Sequence, residues 1–219
     1  MDVVAAIETH RIVIVLRGLA PDACLRASRA LLAGGISLFE VTMNSPRPTD
    51  AIRALVAELG ERAWIGAGTV TSVDHVEAAA AAGARYVVSP DTNPAVIHRT
   101  RELGLVSVPG ALTPTEVLAA RDAGAHFVKV FPIRSVGADH LRQLRGPIDD
   151  VRFIATGGVT LEMIPELMEA GASAVAMGLH LLGADPFTTG EFAELTERAQ
   201  LYREAVGAPL LVPGSGALP

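Results

Sequence analysis

Ala123-Gly124-Ala125-His126-Phe127-Val128-Lys129-Val130-Phe131-Pro132 is the stretch from which the fold is read. An Ala/Leu-rich helical pattern ends at Gly124, and a short apolar run over 127–131 follows at once. Glycine at such a point supplies the left-handed residue that closes a helix. The same junction recurs along the chain. Ala33-Gly34-Gly35 leads into 36–41, Ala82-Gly83-Ala84 into 86–88, Leu103-Gly104 into 105–108, and Ala170-Gly171-Ala172 into 174–176. Helix, glycine and strand repeated at short spacing imply parallel strands joined by crossover helices.

The pattern gives eight strands, at about 12–16, 37–41, 64–67, 85–88, 105–108, 127–131, 152–155 and 174–177. A short helix over 3–9 precedes the first. Helix starts are signalled by Ser72, by Asn93-Pro94, by Thr113-Pro114-Thr115-Glu116 and by Thr160-Leu161-Glu162. The expected fold class is therefore α/β, a (β/α)₈ TIM barrel with a short N-terminal helix. A single domain should occupy 1–206, with an irregular C-terminal tail over 207–219. A doubly wound open sheet is the alternative, weakened because no G-x-G-x-x-G follows the first strand.

Composition narrows the function. Half of the 219 residues are hydrophobic, enough for a sizeable core, and the net charge is −6. With a pI near 5.5, that charge argues against nucleic acid or an anionic membrane as partner. Cys24 is alone, which excludes an internal disulfide and fits a reducing cytoplasm. The N-terminus shows no secretion signal, and no apolar run is long enough to span a membrane. The histidines at 10, 75, 98, 126, 140 and 180 share no metal-ligand spacing, so no metal site is expected.

Lys129 is the only lysine among 18 basic residues. Arginine replaces lysine as a solvated charge, but not as a nucleophile, because guanidinium keeps its proton. In a strand, 127, 129 and 131 face one way and 128 and 130 the other. Val128 and Val130 suit a face packed under helices, which turns Lys129 inward between two aromatics. Desolvation there lowers the amine's pKa. At about 10.4, roughly 0.04% of an amine is neutral at pH 7; a fall to about 7 makes half of it nucleophilic and costs about 4.6 kcal/mol. A lysine snorkelling to solvent is the competing reading.

Active sites of such barrels lie at the C-terminal strand ends. Those ends carry Arg17-Gly18, Glu40 with Thr42, Asn44 and Ser45, Gly66-Ala67-Gly68-Thr69, Ser89-Pro90, Pro109-Gly110, Thr156-Gly157-Gly158 and Gly178. Glu40, a carboxylate inside an apolar strand, is costly unless paired, and Lys129 is its partner on the inward face, either as a structural ion pair or as an acid that moves protons for the amine. Gly157, Gly158 and Gly178 match the usual barrel phosphate site, where small residues let backbone N–H groups and a helix N-terminus reach an anion. Gly66 and Gly68 read similarly as backbone access, and Thr69 as a hydroxyl donor. Arg17 suits a carboxylate or phosphate, or a surface salt bridge.

Glu40-Val41-Thr42, Gly66-Ala67-Gly68-Thr69-Val70, Ser89-Pro90, Pro109-Gly110, Lys129-Val130-Phe131-Pro132 and Thr156-Gly157-Gly158-Val159 together resemble the class I aldolases for 2-keto-3-deoxy-6-phospho-sugar acids, over about 12–202. The resemblance implies a metal-free homotrimeric barrel that needs no cofactor and acts on a small keto acid through a lysine Schiff base. Lys129 would be that lysine and Glu40 the proton-transfer residue, with Thr69, Pro90 and Phe131 lining the pyruvate pocket. Asn44-Ser45-Pro46 and Leu16-Arg17-Gly18 are similar to the galactonate branch, in which Arg17 would clamp the pyruvate carboxylate. Thr156-Gly157-Gly158 is closer to the gluconate branch. Where the family often has Gly-Ser, this chain has Gly178-Leu179-His180, so one hydroxyl ligand for phosphate is missing. The implied products are pyruvate and glyceraldehyde 3-phosphate. The gluconate epimer, 4-hydroxy-2-oxoglutarate and unphosphorylated acids are alternative substrates. A phosphate-binding isomerase or synthase without a Schiff base, and a non-catalytic sugar-phosphate-binding barrel, are the rivals from other classes.

Overall fold

The computed structural model describes residues 2–183 and 186–208. Nine parallel strands form one sheet: β1 Ile12–Leu16, β2 Leu38–Thr42, β3 Trp64–Gly68, β4 Tyr86–Val88, β5 Val106–Val108, β6 Gly110–Ala111, β7 Val128–Val130, β8 Phe153–Thr156 and β9 Ala174–Gly178. β5 and β6 are two pieces of one barrel strand, interrupted at Pro109, which has no N–H to donate. β5 pairs with β4 and β6 with β7. The seam is sewn by Ser107 and Pro109, whose carbonyls accept from the backbones of Phe127 and Lys129. The ring therefore closes with eight strands' worth of chain, and the open-sheet alternative falls.

The helices of the described residues are α1 Val3–His10, α2 Pro21–Ala33, α3 Pro48–Leu59, α4 Val73–Ala81, α5 Pro94–Glu102, α6 Pro114–Asp122, α7 Gly137–Arg145, α8 Ile164–Glu169, α9 Pro186–Thr189 and α10 Phe192–Ala205, and α2, α4, α5, α6 and α8 end at the glycine junctions read from the sequence. Proline in the first turn opens α2, α3, α5 and α6. Ser72 and Asn93 cap α4 and α5 through their side chains, and Thr113 with Glu116 forms a capping box. Thr160 is the exception. It makes no side-chain cap, and a 3₁₀ turn over Leu161–Met163 precedes α8. An α-helix starting there would need an N–H from Pro165 in its second turn, which proline lacks. Of the expected tail, only residues 207 and 208 lie within the described part; 209–219 lie outside it.

Strand residues sort by parity into two cores. Ile12, Ile14, Val41, Val87, Val128, Val130 and Ala155 face the helices. Val13, Leu38, Tyr86, Val88, Val106, Val108, Phe127, Ile154 and Ala176 fill the barrel. α1 crosses the N-terminal end and presses Ala6 and Ile7 into that interior as a floor. With the bottom closed and the middle packed, the barrel interior opens at its C-terminal mouth.

Candidate active site

That mouth holds a cavity of about 580 Å³. Because Val128 and Val130 turn outward, Lys129 on β7 points into it, and only 6% of the residue is exposed. Its Nζ lies 4.8 Å from the Phe131 ring centroid. Phe131 is itself 38% exposed and leans on Gly157, where an added Cβ would stand 2.8 Å from the ring. The aromatic cover over the amine is therefore one-sided. Phe127, expected as the second flanking ring, belongs to the barrel core and does not line the cavity.

Glu40 on β2 is 1% exposed and shares the cavity with Lys129. Its carboxyl lies against Gly68, whose absent side chain gives it room: a Cβ there would sit 1.6 Å from Oε1. Gly66 gives the same room to the Tyr86 ring, 2.3 Å from its missing Cβ. These two glycines, expected to open backbone to a ligand, instead make space for neighbouring side chains. Glu40 Oε2 is buried without a hydrogen-bond partner in the protein.

Arg17, just past β1, spans three strand ends. Its Nη1 donates to Asn44 Oδ1 and its Nη2 to Thr69 Oγ1, both at 3.1 Å. Asn44, expected to bind substrate, does not line the cavity and instead accepts from Arg17. Thr69 has φ 56°, a left-handed conformation uncommon for a β-branched residue and of the kind that clusters at functional sites. Pro90 closes the wall between Thr69 and Lys129.

Gly157, Gly158 and Gly178 line the opposite wall. None of them opens an α-helix directly: the 3₁₀ turn over Leu161–Met163 separates Gly157 and Gly158 from α8, and Gly178 runs into a 3₁₀ turn over Leu179–Leu182. Gly158, with φ 77°, lies under the stem of Arg134, and a Cβ would stand 2.7 Å from Arg134 Cδ. The Arg134 N–H donates to the Gly157 carbonyl at 3.1 Å. Sequence reasoning missed Arg134 as a cavity residue, although a cation two residues past Lys-Val-Phe-Pro was the available signal. It also left Thr156 and His180 without roles; both line the cavity, and His180 packs on Gly178.

Burial sets the electrostatics. Desolvation holds the Lys129 amine below its ordinary pKa; Glu40 opposes this and Arg17 reinforces it. Desolvation likewise pushes Glu40 above the usual carboxylate range, against the pull of Lys129 and Arg17. Both groups are driven toward their neutral forms, the state in which the amine can attack and the acid can donate. The other formal charges in the cavity, Arg17 and Arg134, are cationic. The site favours an anionic ligand although the chain as a whole is acidic.

Fold and pocket together define a barrel enzyme with a desolvated amine at its catalytic end. The KDPG and KHG aldolase family profile matches residues 3–198, and the chain belongs to that family. It is an aldolase, a carbon–carbon lyase. It is 33% identical to the 2-dehydro-3-deoxy-6-phosphogalactonate aldolase of Escherichia coli (strain K12), over 89% of this chain and 96% of that one. It is 32% identical to the 2-dehydro-3-deoxy-phosphogluconate aldolase of Treponema pallidum (strain Nichols), over 92% and 96%. Among solved structures, one described as native KDPGal superposes with a TM-score of 0.81 at 31% identity, over 89% of this chain and 93% of that one. No helix among the described residues is long and apolar enough to cross a membrane.

Proposed function

We propose that the protein cleaves a 2-keto-3-deoxy-6-phospho-sugar acid, preferably of the galactonate type, to pyruvate and glyceraldehyde 3-phosphate through a Schiff base on Lys129. The observation that carries this reading is the chain's one lysine, buried at the barrel mouth in the same cavity as Glu40 and Arg17. Neutral Lys129 attacks the C2 carbonyl, and Glu40 moves protons as the carbinolamine loses water. Arg17, steadied by Asn44 and Thr69, holds the carboxylate. The iminium draws in the C3–C4 electrons as the C4 hydroxyl loses its proton, and the aldehyde departs. The remaining enamine is protonated at C3, and hydrolysis returns pyruvate and the amine. Phe131 and Pro90 pack beside the pyruvate unit. The phosphate lies along Gly157, Gly158 and Gly178, with Arg134 as its cation.

Preference for the galactonate type rests on Asn44-Ser45 and on the Arg17–Asn44 hydrogen bond. The gluconate epimer is the second reading, favoured by Thr156-Gly157-Gly158, and paired assays of the two epimers with and without phosphate decide between them. The proposal includes the trimer implied by the family resemblance, which sedimentation equilibrium checks, and a cytoplasmic setting, which rests on the lone Cys24 and which cell fractionation checks.

The central test is chemical. Pyruvate and borohydride should leave a reduced adduct on Lys129, read by peptide mass. Lys129→Arg keeps the charge and should lower turnover by roughly three orders of magnitude or more. Substantial turnover in that variant, or an adduct elsewhere, refutes the assignment.

A further inference from the structure

We infer that Tyr86 is a positioning residue for Glu40, its hydroxyl holding the carboxyl through a single enclosed water below the active-site mouth. The inference rests on the reading of Glu40 as the proton-transfer group.

Strand register brings the two side chains together. Glu40 on β2 is in register with Gly66 on β3, and Gly66 with Tyr86 on β4. All three positions face inward, so the only side chain that could stand between Glu40 and Tyr86 is a hydrogen atom. The Tyr86 ring occupies that space: Cε2, Cδ2 and Cζ lie 2.3 to 2.4 Å from where a Cβ at 66 would be. The ring thus leans across Gly66 toward the strand that carries Glu40.

Its hydroxyl has work left to do. Tyr86 is 1% exposed, and its OH has no hydrogen-bond partner in the protein. A phenylalanine would fill the same core without the cost of a buried, unsatisfied hydroxyl. Glu40 Oε2 and Thr156 Oγ1 share this condition, as do the Ser28 and Ser37 hydroxyls. Tyr86, Glu40 and Thr156, with Lys129, line one narrow cavity of about 10 Å³ beneath the mouth, and Ser28 and Ser37 lie away from it. That volume is close to the least that holds one water, and a buried water typically makes about three hydrogen bonds. Three unpartnered oxygens from β2, β4 and β8 around a one-water space form a matched set.

Such a water donates to the Glu40 carboxylate while accepting from Tyr86. It steadies the ionised form and fixes the direction in which the carboxyl faces Lys129. Burial and the charge on Glu40 hold the Tyr86 hydroxyl well above its ordinary pKa, so it stays a donor throughout the working range. Arg17, Lys129 and Tyr86 are the ionisable groups that act on Glu40. The walls that α1, β1, β5 and β9 add to the narrow cavity are apolar.

The test compares wild type with Tyr86→Phe in two assays. The first is the borohydride-trapped pyruvate adduct. The second is exchange of pyruvate methyl protons with deuterated solvent across pH, a reaction that requires proton transfer after imine formation. Removing the hydroxyl should leave the adduct and the KM for pyruvate within about twofold, lower the exchange rate about tenfold, and move its half-maximal pH upward. A wild-type protein that forms no adduct overturns the reading of Lys129 and Glu40 beneath this inference. A wild-type adduct, with a variant whose exchange rate and half-maximal pH match wild type, overturns the role of Tyr86 alone. So does a variant that loses rate, adduct or fold with the half-maximal pH unmoved, because that pattern belongs to packing.

Discussion

At the mouth of the barrel one amine, one carboxyl and two guanidiniums, those of Lys129, Glu40, Arg17 and Arg134, face a single cavity. Lys129 stood out because arginine serves everywhere else, and Glu40 because an acid interrupts an apolar strand. Arg134 carried no such mark among its many arginine peers, and its place depends on how Gly158 lets its stem pass. Tyr86 carries no sequence mark either, since only the register across Gly66 relates it to Glu40. Arg134 is where a prediction at this scale is sharpest. The cavity wall made by Gly157, Gly158 and Gly178 lacks the serine of the family pattern, and Arg134 is the cation beside it. Arg134→Ala should raise the KM for a phosphorylated substrate by roughly tenfold or more, the worth of a charge-assisted hydrogen bond. The unphosphorylated acid should be little affected. Steady-state kinetics on the pair check this, and an equal rise for both substrates would remove Arg134 from the phosphate.

Among elements, the helix–glycine–strand junctions were readable because each glycine must adopt a positive φ, as Gly35, Gly83, Gly104, Gly124 and Gly171 do. The start of α8 was misread, because a capping residue is a local signal and the obstacle, Pro165, lies a turn further on. The seam at Pro109 was also hidden: sequence gave one strand there, and the chain divides it between two neighbours. His126 ties that seam. Its ring Nδ1 accepts from the Ser107 N–H at 3.0 Å, and its backbone N–H donates to the Ser107 carbonyl. Burial lowers the imidazole to about 4, helped by Arg101 and Arg152 and opposed by Asp2. The unfolded chain therefore takes up a proton near pH 6.5 that the folded chain resists. Stability from neutral His126 is complete above that pH and is lost as pH falls toward about 4. Because the residue is only partly buried, screening leaves about 1–2 kcal/mol of this effect. Urea unfolding of wild type and His126→Gln at pH 7 and pH 4.5 should show the smaller drop in the variant; parallel drops would clear His126 of the effect.

The whole barrel is a stack from floor to mouth, and the floor bounds the narrow cavity below the amine. Ile7 of α1 is fully buried, belongs to the inner core, and lines the narrow cavity that also touches Glu40 and Lys129. A closed barrel was foreseeable from eight repeats, but the use of α1 as a plug was not, because a short amphipathic helix carries no sign of where it docks. That docking links stability to reactivity. Ile7→Ala removes three heavy atoms from a packed interior and should cost about 2–4 kcal/mol. It also enlarges the cavity under the amine, so that more water can reach Lys129. Hydration relieves the desolvation that holds the amine down, so its pKa should rise toward the ordinary lysine value. At neutral pH a smaller share of the amine is then free to attack. The pH dependence of trapped-adduct formation measures this directly, and the half-maximal pH should move upward in Ile7→Ala. If the variant loses stability while that midpoint stays fixed, the floor supports the fold without keeping the amine dry, and the dryness must come from the mouth side, from Phe131 and Pro90.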